Sequence, residues 1–340
     1  MTKIVILYSS AGYGLEKDAN ILRASFVRAN YDVELKSVSQ TDIVADSYLE
    51  DLIVKVLFRF NVIYFWKKIL GLIVKKSATI YLHLENIHYK ELYRNARHVL
   101  IPNQEWFRIS GISLLPCISQ VWCKTHLAHS IFSELGVSAH YVGFSSGDIE
   151  SNKCSVPLKN EFFSRIGRSA YRGADILVSI WMLHPEWPTL NLVIDPSRRP
   201  VSCPPNVNYV NEFETVEDYH AYANQFAFHI YATETEGFGH SIYEGMRAGA
   251  LILLTDAPPM NEIAGADNVI LIPSVYCGHK GLSPRFAITR DGLEKAVNSV
   301  LGLSESARTN ISLSAKNLVK KMDEDFQKKL HETLQHLVQE

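Results

Sequence analysis

Thr235-Glu236-Gly237-Phe238-Gly239-His240-Ser241-Ile242-Tyr243-Glu244-Gly245-Met246 is the stretch that decides how this chain is read. It follows an apolar run at 227–231 and precedes a helical pattern at 242–247 that Gly249 ends, so it sits where a strand hands over to a helix. Glycines at such a junction let an anion approach the backbone amides of a helix N-terminus closely. Glu236 and Glu244, eight positions apart, flank that point. A carboxylate has no use for phosphate but accepts well from sugar or ribose hydroxyls. An anion and a polyol held side by side describe a nucleotide sugar. Ser241 and Glu244 also fit a capping box, with Ser241 as N-cap; that reading leaves Glu236 and the Gly-Phe-Gly unexplained.

Outward from this motif, strands and helices alternate. Strands are expected at 3–8, 33–36, 80–84, 99–102, 121–123 and 140–143. After a polar stretch at 145–160 the pattern restarts, with strands at 162–166, 190–194, 207–210, 227–231 and 250–254. Alternation of this kind predicts parallel sheets covered on both faces. Leu318, Met322, Phe326, Leu330 and Leu334, four apart, predict a final amphipathic helix. We expect a domain over 1–150, a second over 151–315 and a C-terminal helix over 316–340. At 340 residues the chain is long enough for two cores.

Bulk composition excludes several classes. With a net charge of -2, nucleic acid is not an expected partner. Five cysteines, without a CxxC pair, argue for a reducing compartment and against a disulfide framework or a thiolate zinc site. The first residues read as a buried strand rather than a signal peptide, and no run of about 20 apolar residues is present, so a cytoplasmic location is expected.

Three further constellations bear on chemistry. Gly167-Arg168 and Arg172-Gly173 follow a strand, where they are either two surface arginines at a helix start or two guanidinium forks that could meet one diphosphate. Asp256-Ala-Pro-Pro-Met-Asn-Glu262 is either a proline-rich turn or a further carboxylate for the polyol. The loop carrying Gly12 and Gly14 lacks the spacing of a dinucleotide fingerprint, which disfavours a nicotinamide site.

Taken together, these residues resemble retaining glycosyltransferases of the GT-B fold, most closely family 4, whose hallmark E-G-F-G-x-x-x-x-E is matched from Glu236 to Glu244. The hallmark usually continues as A-M-x-x-G, and here Gly245 stands at the alanine. The resemblance implies an α/β protein of two Rossmann-like doubly wound domains facing a central cleft, with the C-terminal helix packing back on the N-terminal domain. It implies transfer of a hexose-type sugar from a nucleotide-diphosphate sugar to a glycan or lipid-linked glycan, with no metal or other cofactor. Arg168 and Arg172 would neutralise the diphosphate. Glu236 with Gly237, Phe238, Gly239, His240 and Ser241 would hold the sugar, Glu244 the ribose and Tyr209 the base, with Gly12, Gly14 and Glu262 also about the donor. An N-domain histidine commonly lies near the donor sugar in the family; His83 is the leading candidate, ahead of His88 and His126. The competing expectations are a nucleotide-sugar epimerase or hydrolase and a non-catalytic nucleotide-sugar-binding subunit.

Residues 52–76 carry six basic residues and no acidic one, interleaved with Phe58, Phe60, Tyr64, Phe65 and Trp66. That composition fits either an anionic membrane surface that would make the protein peripheral, or core helices whose lysines reach outward.

Overall fold

A computed structural model of the protein describes residues 2–9, 13–39, 78–92, 94–147, 159–265 and 268–339. Gly12, the basic segment 52–76, Cys154 and most of the expected linker lie outside the described residues. The chain divides into two compact units. One comprises Met1–Ser145 with His279–Ser283 and Glu324–Glu340; the other comprises Ser146–Gly278 with Pro284–Asp323.

In the first unit, β1 (Lys3–Ser9), α1 (Tyr13–Arg28), β2 (Asp32–Val38), β3 (Thr79–Glu85), β4 (Arg97–Pro102), β5 (Gln120–Cys123), α2 (His126–Glu134) and β6 (Ala139–Tyr141) follow one another. The six strands are all parallel, in the order β2-β1-β3-β4-β5-β6. Their apolar runs are buried on both faces, with Ile4, Ile6, Leu82, Val99 and Val121 inaccessible, as parallel strands under helices require. Thr125 caps α2 by accepting from the Ala128 amide, and Gly136 at φ 76 stops it. α1 begins at Tyr13, so Gly14 lies inside the first helical turn rather than in an open loop.

From residue 159 onward follow β7 (Lys159–Gly167), α3 (Ala174–Trp181), β8 (Leu190–Ile194), β9 (Val207–Val210), α4 (Val216–Ala223), β10 (Phe226–Tyr231), α5 (His240–Ala248), β11 (Leu251–Thr255), β12 (Ile270–Ile272), the hairpin β13 (Ser274–Lys280) and β14 (Ser283–Ile288), whose tip His279–Ser283 belongs to the first unit, and α6 (Arg290–Leu301). The main sheet of the second unit is again six-stranded and parallel, ordered β12-β11-β10-β7-β8-β9. The chain runs outward from β7 through β8 to β9, then returns to the other side of β7 as β10. The strand order therefore reverses between β7 and β10, which is where open α/β sheets bind ligands.

The final helix, α7 (Glu305–Gln339), is longer than the expected 316–340. Ala315 and Val319 are buried in its first half and Phe326, Leu330, Leu334 and Leu337 in its second. Residues from Glu324 onward belong to the first unit, where Phe326 meets Phe144 at 5.0 Å and Gln327 donates to Ser25. The C-terminal helix thus packs back on the N-terminal unit.

Candidate functional site

Beyond the carboxyl ends of β7 and β10, Arg165, Arg172, Thr233, Glu236, Gly239 and Ser241 line a pocket. Two glycines shape it. Gly173, at φ 70, precedes α3, and a Cβ there would sit 2.8 Å from the Ala232 carbonyl oxygen, so only glycine lets the helix start close against the end of β10. Gly239, at φ 85, is the N-cap of α5.

The two chain segments that meet at the pocket are tied together by backbone. The Glu234 amide donates to the Tyr171 carbonyl at 2.8 Å. That bond sets Arg172 and Glu236 opposite each other, with Arg172 Nη2 3.4 Å from Glu236 Oε1. The Thr233 hydroxyl also donates toward Glu236 Oε1, at 3.1 Å. From the far side, Arg285 grips the Glu234 carboxylate through Nε at 2.7 Å and through Nη2, and its guanidinium lies 4.5 Å over the Tyr171 ring. The Phe286 amide on β14 donates to the Glu234 carbonyl. The hairpin β13–β14 therefore braces the loop that presents Glu236.

The capping-box reading of Ser241 and Glu244 is incorrect. α5 starts at His240 with Gly239 as N-cap and no side-chain cap, so Ser241 lies within the first turn and Glu244 one turn further. Freed from capping, the Glu244 carboxylate is 6% exposed and lies 3.5 Å from His220 Nε2 on α4. Tyr219 and Arg165 share this surrounding: Arg165 stacks 4.4 Å over the Tyr219 ring and pairs with Glu212 at 3.4 Å. Burial, reinforced by the negative charge of Glu244, pushes the Tyr219 phenol up to about 12. It is consequently a neutral hydroxyl at physiological pH.

Other expected site residues are placed elsewhere. Arg168 is 87% exposed and bonds Asp195 at 3.3 Å rather than lining the pocket. Tyr209 donates to the Ser202 carbonyl at 2.6 Å, with Arg199 5.7 Å over its ring. Phe238 stacks on Tyr243 at 4.3 Å and meets His240 at 5.1 Å. Glu262 lies in the short turn Met260–Ile263, half-buried. Gly14 and His83 belong to the first unit.

His83 is fully buried, and a row of bonds accounts for both its ring nitrogens. Nδ1 accepts from the His88 amide at 3.0 Å, so Nε2 carries the hydrogen and donates to His98 Nδ1 at 3.0 Å; His98 Nε2 then donates to the Arg94 carbonyl. This geometry gives His83 a structural role in holding β3 to β4.

Arg165, Tyr219, His220 and the Glu234–Arg285 pair did not emerge from the sequence. For Arg165 a signal existed: a charge inside the buried run Phe162-Phe163-Ser164-Arg165-Ile166 has to be answered by a partner.

No protein-family model and no curated protein matches the sequence. Solved structures do. An E. coli trehalose-6-phosphate structure bound with UDP-2-fluoro glucose superposes at TM-score 0.64 with 10% identity over 99% of both chains. Sucrose-phosphate synthase from Thermosynechococcus elongatus gives 0.64 and 11%, again over 99% of both. The fold is GT-B. The pneumococcal O-GlcNAc transferase GtfA, in complex with UDP and GlcNAc, gives 0.56 and 12% over 82% of this chain, which spans about 60% of the GtfA chain's length. At these identities the likeness carries the GT-B fold itself, two Rossmann-like domains each built on a parallel sheet.

Proposed function

We propose that this protein is a retaining glycosyltransferase that moves a hexose-type sugar from a nucleotide-diphosphate donor to a glycan or lipid-linked glycan. The observation that carries the reading is the pocket at the β7/β10 reversal. There an arginine, a carboxylate and the N-terminal turn of α5 converge within a GT-B fold. The donor complexes among the structural neighbours, one with UDP-2-fluoro glucose and one with UDP and GlcNAc, support a uridine nucleotide as the first donor to test. The run from Glu236 to Glu244 supports the family 4 resemblance.

Cleaving the bond between the anomeric carbon and the diphosphate oxygen leaves positive charge on the sugar and negative charge on the diphosphate. Arg172, with Arg165 behind it, and the amides of the first turn of α5 stabilise the departing charge without having to reorganise. Glu236 accepts from sugar hydroxyls, and Glu244, buried among neutral phenols, accepts from the ribose. The acceptor oxygen bonds to the anomeric carbon on the face the diphosphate leaves, and a diphosphate oxygen takes the acceptor's proton. Arg168 reaches the diphosphate only by giving up Asp195. The reaction needs no metal in this scheme, so activity should persist in EDTA.

The decisive experiment offers UDP-, GDP-, dTDP- and CMP-sugars to the protein and follows thermal stabilisation and nucleotide release. A ligand at 100 times its Kd stabilises by about 2.7 kcal/mol. Failure of every donor to stabilise the protein or to be consumed overturns the reading. Among the described residues no helix is long and apolar enough to cross a membrane. We place a lipid-linked acceptor at an anionic surface through the basic, aromatic composition of residues 52–76. Absence of co-sedimentation with anionic liposomes at low salt would remove that part.

A further inference from the structure

β10 carries two polar side chains in an otherwise apolar buried strand, His229 and Tyr231, 1% and 5% exposed. Two residues apart, they project from the same face of the sheet, the face covered by α5. Buried polar groups are retained only where bonds answer them. His229 Nε2 lies 3.0 Å from the Ala223 carbonyl at the end of α4; a carbonyl only accepts, so Nε2 carries the hydrogen. Nδ1 lies 3.0 Å from the Tyr231 hydroxyl, and that hydroxyl lies 2.6 Å from the Ser241 carbonyl in the first turn of α5. With a neutral imidazole, the single phenolic proton serves both Nδ1 and the Ser241 carbonyl. Burial keeps the ring neutral, holding it down at about 4 against the opposing Ala223 carbonyl and the charge of Glu244; the Phe163 ring of β7 lies 4.7 Å from it.

One turn beyond Ser241, α5 places a glycine over this pair. A Cβ on Gly245 would lie 2.6 Å from His229 Nδ1, 3.1 Å from the Tyr231 oxygen and 3.0 Å from Ile252 Cδ1. Gly245 is not among the glycines of positive φ, so its backbone conformation does not call for glycine. A glycine inside a helix is disfavoured relative to alanine. Space for the imidazole and the phenol is what it provides, and the departure of this chain from the usual E-A-M is thereby explained.

We propose that Tyr231 and His229 are positioning residues of the donor pocket, holding the first turn of α5 through the Ser241 carbonyl, and that Gly245 is the residue that admits them. Tyr231, Gly239 and Ser241 all line the pocket, so the same bond that seats Tyr231 also orients the amides offered to the diphosphate. The inference rests on the donor reading given above.

Its test is calorimetric binding of UDP, GDP, dTDP and CMP to the wild type, Tyr231→Phe, Gly245→Ala and Gly245→Ala/His229→Val. Tyr231→Phe keeps the ring and removes only the proton donor. It should raise the Kd of the bound nucleotide about tenfold at a temperature where the variant is fully folded. A merely structural role would lower the melting temperature and leave that Kd unchanged. Gly245→Ala should weaken binding at least as much, and His229→Val in the same chain should restore part of it, because the nearest collision partner is gone while the imidazole's hold on Tyr231 is lost as well. Nucleotide binding by Tyr231→Phe equal to wild type, or purely additive effects in the double variant, overturns this inference alone. A wild type that binds none of the four overturns the donor reading and this inference with it.

Discussion

Arg172 Nη2 lies 3.4 Å from Glu236 Oε1, and the two side chains come from loops that follow neighbouring strands, held in register by the Glu234 amide on the Tyr171 carbonyl. The pair is partly screened from water, with side-chain exposures of 29% and 16%. Arg168, four residues earlier, is 87% exposed and turned to Asp195. The two arginines should therefore differ. Arg172→Ala should weaken binding of the nucleoside diphosphate by tenfold or more, as loss of a partly buried charged donor does, and Arg168→Ala by less than about threefold. Isothermal titration ranks them, and the opposite order would move the clamp to Arg168.

Gly173 and Gly14 make a contrasting pair. At Gly173 a methyl group meets the Ala232 carbonyl at 2.8 Å in a left-handed conformation, so Gly173→Ala should cost about 2 kcal/mol. At Gly14 nothing lies within 4 Å in the first turn of α1, and Gly14→Ala should be neutral or stabilise by about 0.5 kcal/mol. Chemical denaturation of the two variants separates them. Equal destabilisation would contradict the packing described here.

Lys124 forms a buried ion pair with Asp18, both side chains at most 3% exposed; Lys124 also donates to Asn103 at 2.9 Å and lies 4.6 Å over the Phe144 ring. Removing one charge strands the other in a poorly solvated place. Lys124→Met should cost about 3 kcal/mol, and Asp18→Asn in the same chain should recover much of it. Full additivity in a denaturation cycle would mean the two charges do not interact.

His229 makes folding pH-dependent. The folded ring titrates at about 4 and the ordinary value is 6.5. As pH falls, the unfolded chain takes up the proton first. The stability contributed by the neutral ring is complete above the ordinary value and drains away as pH drops toward the folded one, by about 3 kcal/mol in all. Urea denaturation of wild type and His229→Gln between about pH 7.5 and pH 5 should show a shallower fall in the variant. Parallel profiles would mean the ring titrates alike in both states.

Several elements were legible because their signals are local. β1, β4 and β8 are short apolar runs bounded by breakers. α5 starts two residues before its apolar pattern, because Gly239 turns the chain without a side chain where Ser241 and Glu244 carry capping-box spacing. That small shift matters, since it is the difference between Glu244 as a cap and Glu244 as a buried acceptor. The hairpin β13–β14 escaped notice because its strands are half exposed and its value lies in what Arg285 reaches.

By itself the sequence determined an α/β chain of two halves and the place of a glycine-rich strand-to-helix turn flanked by Glu236 and Glu244. Periodicity and turn chemistry act over a few residues and survive without knowledge of the rest. Only the tertiary structure decided which side chains share the pocket. Arg165 and Glu236 are far apart in sequence, and β10 had to return beside β7 to bring them to one pocket. Packing likewise buried His83 between His88 and His98, and it gave Gly245 its reason, since the crowding that forbids a methyl group there comes from His229 and Tyr231 on β10 and Ile252 on β11, under α5.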